Sequence, residues 1–183
     1  MMMAKLRLAV FVSALVLYLN SSTCFSPVEA AGVPVNKRTT RQNEVSASSI
    51  YQLGDMTSCT TGLSLVNSGL DYNGYGCYCG YGGTGSPLDE TDTCCYAHDK
   101  CYEQSPCPDS LKYSIPYKKK LSSCGTDDAT ITCKRASDYP WYYGSTKYCA
   151  EAICNCDKAL AFCFKETRPS YNEDYCDWSN SKC

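Results

Sequence analysis

Sixteen cysteines in 183 residues constrain this chain more than any other feature. Fifteen of them lie at or after Cys59, a density that signals a disulfide framework built in an oxidising compartment. Zinc is the rival use of cysteine. The spacings Cys77-x-Cys79, Cys94-Cys95 and Cys154-x-Cys156 do not repeat the paired two-residue gaps of zinc modules, and His98 is the only histidine available as a ligand.

The N-terminus agrees with the compartment. Lys5 and Arg7 precede an apolar run from Leu8 to Leu19 that is too short to span a bilayer, and the small polar Ser21-Ser22-Thr23 follows. This order predicts a secretory signal peptide within residues 1–30, cut after Cys24 or Ala30, and hence a secreted, extracellular protein. An uncleaved signal anchor is the alternative, and the shortness of the run argues against it. Residues 31–48 carry Lys37, Arg38 and Arg41 without periodicity and read as a propeptide, though a disordered leader is equally compatible. One domain, 49–183, remains.

Removing residues 1–41 takes five basic residues and one acid from the 17 and 19 present, which leaves a net charge of −6. An acidic exported domain is a poor nucleic-acid binder and feels no broad pull toward anionic membranes. Lys118-Lys119-Lys120 is its one basic run. It reads as a solvated loop or helix end, with a lipid headgroup contact as the sharper alternative.

Two helices follow from their stripes. The first runs from Asp89, a plausible N-cap, to about Gln104; Cys94, His98, Cys101 and Tyr102 share one face of it. The second spans about Lys147 to Lys165, with Cys149, Ile153, Cys156, Leu160 and Cys163 in line. Adjacent Cys94 and Cys95 point about 100° apart on a helix, so each must reach a different element.

Between Tyr75 and Gly85 the chain reads YGCYCGYGGTG, five glycines among two cysteines and three tyrosines. A flexible linker would not carry such residues. A rigid loop with inward carbonyls suits a hard cation such as calcium, usually with a carboxylate added. Phosphate cradling needs a Lys-Ser/Thr and a helix start after the glycines, and Pro87 stands near there instead. Asp71-Tyr72-Asn73-Gly74 begins like an EF-hand loop but lacks the later glutamate, so it reads as a turn.

These segments resemble a known family. Tyr75 to Gly83, followed by Asp92-x-Cys94-Cys95-x-x-His98-Asp99-x-Cys101-Tyr102, is similar to the calcium loop and active-site helix of the secreted phospholipases A2, nearest in pattern to the pancreatic and elapid-venom type. Cys149 through Cys163, with Cys154-Asn155-Cys156-Asp157 inside, resembles that family's second long helix, and Ile50-Tyr51-Gln52-Leu53 with Met56 resembles its first short one. The resemblance covers about Ser49 to Cys183. It implies a mainly α, disulfide-rich fold: two long antiparallel helices cross-linked by disulfides, a short N-terminal helix, a glycine-rich calcium loop and a small β-hairpin.

It also implies roles. Calcium, one ion, would be held by the carbonyls of Tyr78, Gly80 and Gly82 and the carboxylate of Asp99. His98 would activate water, Asp157 would orient His98, and Tyr102 would support Asp157; the second supporting tyrosine is left open near Tyr117. Ile50, Leu53 and Met56 would line an acyl channel or touch lipid, with core packing as the opposing view. Seven bridges are implied: Cys59–Cys124, Cys77–Cys183, Cys79–Cys95, Cys94–Cys163, Cys101–Cys156, Cys107–Cys149 and Cys133–Cys154. Cys176 is then odd, free for an intermolecular bridge and a disulfide-linked dimer, or for a swap with Cys183. The implied activity is calcium-dependent hydrolysis of the sn-2 acyl ester of glycerophospholipids at membranes or micelles. A secreted toxin or receptor ligand on the same scaffold is the competing class; such proteins typically lack the aspartate or the histidine, and both are present here.

Overall fold

The computed structural model describes Cys24 and residues 40–183. The expected signal peptide, Cys24 apart, and residues 31–39 of the expected leader therefore lie outside the described residues. Helix α1 spans Thr40–Thr61, a longer element than the short helix expected from Ile50 onward, and α2 follows at Leu65–Leu70. Asp71 to Gly74 form a turn, as expected. The two long helices are α3, Glu90–Gln104, and, after the short α4 at Asp109–Lys112, β1 at Lys119–Ser122 and β2 at Thr130–Cys133, α5 at Thr146–Thr167.

Helix α3 begins where its cap dictates. Asp89 has extended backbone angles and its side chain accepts the N–H of Asp92, while Glu90 and Asp92 place negative charge in the first turn. Its partner α5 carries the expected stripe: Cys149, Ile153, Cys156 and Leu160 are all buried.

All seven expected bridges are formed. Two of them fix the two helices antiparallel, because Cys94 and Cys101 pair with the successively earlier Cys163 and Cys156; Cys107, just beyond the end of α3, continues the order with Cys149. The expectation of an odd Cys176 needs correction. Cys176 pairs with Cys24, so no cysteine is free and none is left to link a dimer. Eight bridges consume all sixteen cysteines, which also leaves no thiolate for zinc.

The core falls into two clusters. One part gathers Met56, Tyr102, Tyr117, Ile131 and Ile153, and the other gathers Tyr72, Tyr75, Leu160 and Phe164, with Tyr72 and Phe164 stacked at 3.7 Å between centroids. Helix α1 is tied to α5 by Thr60, whose hydroxyl donates to the Ala161 carbonyl at 2.6 Å. The hairpin pairs Leu121 with Ile131 and Lys119 with Cys133. Of the lysine run, Lys118 and Lys120 are exposed, while Lys119 is mostly covered and pairs with Asp55 at 3.0 Å.

Candidate active site

Position 157 on α5 faces position 98 on α3 because the Cys101–Cys156 bridge locks the two helices one residue from one and three from the other. Nε2 of His98 lies 2.8 Å from Oδ1 of Asp157. A carboxylate only accepts, so Nε2 carries the proton and Nδ1 keeps its lone pair.

Asp157 is fully buried, and burial of a bare carboxylate would be costly. Its compensation is a set of donors. Tyr102 donates to Oδ1 at 2.7 Å and Tyr117 donates to Oδ2 at 2.6 Å. The tyrosine left open by the sequence is thus Tyr117, carried to Asp157 by the segment that enters β1. Its phenol is pushed well above the ordinary range, first by burial and then by the Asp157 charge, so it remains a donor. Gln52 in α1 fixes the backbone there, donating to the Tyr117 carbonyl at 2.7 Å.

Asp99 sits one residue from His98 and is partly buried. Burial raises its carboxyl above the usual range, against the opposing influence of His98. Among the described residues it takes no hydrogen bond or ion pair from any side chain or backbone group. A half-covered carboxylate without a donor is a natural seat for a cation.

The glycine loop is held by Asp92, to which the sequence assigns no role beyond opening the motif of the active-site helix. Asp92 is fully buried and accepts three backbone N–H groups, from Cys77 at 2.8 Å, Tyr78 at 2.8 Å and Leu88 at 2.9 Å. Gly76 makes room for it: a Cβ there would lie 2.4 Å from the Asp92 carboxyl carbon, and its φ of +63° suits glycine. A signal was available, since an acid at the third helical position commonly reaches back toward the residues before the helix.

Elsewhere in the loop, Tyr78 donates to the Gly85 carbonyl at 2.8 Å, and a Cβ at Gly83 would strike the Tyr78 ring at 2.0 Å. The Cys79–Cys95 bridge fastens the loop to α3, four residues before Asp99. The Cys79 carbonyl accepts the Gly74 N–H. The carbonyls of Tyr78, Gly80 and Gly82 accept no hydrogen bond among the described residues, which leaves three hard oxygen donors uncommitted. No three acidic, histidine or cysteine side chains converge as a metal group among the described residues. A cleft of about 440 Å³ lies along the loop between Asn73 and Asn180, and His98 is not on its wall.

Ile50, Leu53 and Met56 are found at graded depths. Ile50 is 70% exposed, Leu53 is partly buried and Met56 belongs to the core. Tyr113 was not singled out from the sequence. It is half exposed, packs at 5.4 Å from Tyr102, and its phenol is raised by burial and by the charge of Asp99, which puts it at the rim of the site.

The site and framework define a disulfide-stapled hydrolase scaffold with a histidine–aspartate pair beside a glycine loop. The phospholipase A2 family model matches residues 50–176, and the chain belongs to the phospholipase A2 family, enzymes that hydrolyse phospholipids. Among its relatives is a protein named Phospholipase A2 AP-PLA2-I, from Acanthaster planci, 41% identical over 141 residues that cover 73% of this chain and 85% of the relative. A Phospholipase A2 from Oryctolagus cuniculus is 39% identical, covering 74% of this chain and 86% of its own. Acidic phospholipase A2 PLA-1 of Eristicophis macmahoni is 38% identical, covering 73% and 94%.

Proposed function

We propose that the chain is a secreted, calcium-dependent enzyme that cleaves the sn-2 acyl ester of glycerophospholipids to a fatty acid and a lysophospholipid. The observation that carries this reading is the buried Asp157 carboxylate, held by two tyrosines, against the Nε2 of the only histidine. With Nε2 donating to Asp157, Nδ1 of His98 is the free base and takes a proton from the attacking water. Asp157 fixes the tautomer and offsets the positive charge that develops on the imidazole, the logic of a serine triad with water in place of serine.

Calcium, when bound by the carbonyls of Tyr78, Gly80 and Gly82 and the carboxylate of Asp99, supplies Lewis-acid charge beside the ester carbonyl. The Gly80 N–H, which donates to nothing else among the described residues, would donate to the oxyanion. Asp92 and the Cys79–Cys95 bridge keep that loop in place for both tasks. His98 returns its proton to the leaving oxygen, so no side-chain nucleophile is required.

Full pairing of the cysteines supports export. Exposed Ile50, Tyr51 and Tyr81 are suited to resting on a phospholipid surface. Phosphatidylcholine labelled separately at its two acyl chains tests the reading: label should be released from the sn-2 chain alone, and equal release from both positions would refute it.

A further inference from the structure

We infer that Cys24 stays in the mature protein and that its bridge to Cys176 makes the leader a covalent part of the fold. The signal would then be cut before Cys24, within the small polar Ser21-Ser22-Thr23, and a cut at Lys37, Arg38 or Arg41 would give two chains joined by that bridge. Cleavage after Cys24 or after Ala30 discards the partner that Cys176 has in the fold.

The place of the bridge is built rather than incidental. Cys24 is 1% exposed, and its sulfur lies 2.9 Å from the Asp71 carbonyl oxygen. The Tyr171 hydroxyl sits 3.1 Å from both sulfurs and donates to the same Asp71 carbonyl at 2.7 Å. The two α-carbons are 4.7 Å apart, within the ordinary range for a bridge. Retention of Cys24 gives an even count of sixteen, all paired. Its loss strands one thiol in an oxidising compartment, where it would seek another chain.

The anchor lies directly behind the glycine loop. Cys176 pairs with Tyr75 as an antiparallel bridge, and the Gly76 N–H donates to the Tyr175 carbonyl at 2.8 Å. The leader is thereby fastened to the strip of chain that supports the loop from the rear.

The test uses the full chain, secreted from a disulfide-forming host and purified without reductant. Intact mass should match a chain that still contains Cys24, less two hydrogens for each of eight bridges, and iodoacetamide in denaturant should add nothing. Limited trypsin should add the mass of one water per cut without loss of the Cys24 fragment; reductant should then release that fragment. Cys24→Ser should expose one alkylatable thiol at Cys176 or yield a reducible dimer. The double variant Cys24→Ser with Cys176→Ser should keep the other seven bridges by mass and lose the leader fragment to trypsin alone. A wild-type mass that starts after Cys24 or after Ala30 would overturn the inference, as would a label on Cys176 in the untreated protein.

Discussion

Tyr117 donates to Oδ2 of Asp157 while His98 occupies Oδ1, so the carboxylate is gripped from two sides. Hydrogen bonds to a buried charge are worth roughly 1.5–3 kcal/mol each. Tyr117→Phe should lower urea-derived stability by about that amount and reduce turnover, since the orienting carboxylate gains freedom. Tyr102→Phe should act similarly, and the double substitution should be non-additive because both act on one group. Two silent single variants would mean that the tyrosines do not hold Asp157.

Asp92 gives a second prediction, concerning the loop rather than the proton relay. Asp92→Ala leaves three backbone donors without an acceptor, at roughly 1–3 kcal/mol for each that stays buried. Stability should fall, and calcium titration should show weaker binding. Gly76→Ala should do the same from the other side, by forcing a Cβ into the Asp92 carboxyl. Full calcium affinity in both variants would show that the loop is held otherwise.

Much of this was legible in the sequence, and the reasons differ by element. The caps and stripes of α3 and α5 are local, and adjacent Cys94 and Cys95 require two partners; these features survive folding unchanged. Tyr117 is not legible as the second tyrosine because its contact with Asp157 depends on how the segment before β1 packs against α5, a long-range placement that no periodicity encodes. The role of Asp92 is not legible because its three acceptor contacts lie on two segments brought together only by folding. The length of α1 was missed for want of a hydrophobic stripe in residues 40–48. The partner of Cys176 was not legible because Cys24 lies 152 residues away, outside the segment that carries the other cysteines.

A pH dependence follows from Asp71, which is buried and paired with Arg168 at 2.9 Å. Burial raises its carboxyl above the ordinary value, and Arg168 only partly opposes this. A raised acid contributes stability that is fully present below its unfolded value and is lost as pH climbs through the folded one. Urea midpoints should therefore show a falling contribution from Asp71 as pH rises from about 4 upward, and Asp71→Asn should flatten that part of the profile. An unchanged profile would contradict the assignment.

The lipid-facing reading predicts a split between substrates. Ile50 is 70% exposed and Tyr81 99% exposed. Ile50→Asp and Tyr81→Asp should slow hydrolysis of vesicles while leaving a monomeric short-chain substrate nearly unaffected. The acidic net charge further predicts faster turnover on zwitterionic or mixed micelles than on strongly anionic vesicles. Equal losses on monomer and vesicle, or higher turnover on anionic vesicles at equal bound enzyme, would count against it.

The central claim is that one histidine, positioned by Asp157, works with a cation held by the loop and Asp99. Fatty acid release from phosphatidylcholine should be measured for the wild type with calcium, for the wild type with a chelator, and for His98→Gln with calcium. The account predicts release in the first case only, with calcium binding retained by His98→Gln. Release that persists through both chelation and substitution would contradict it.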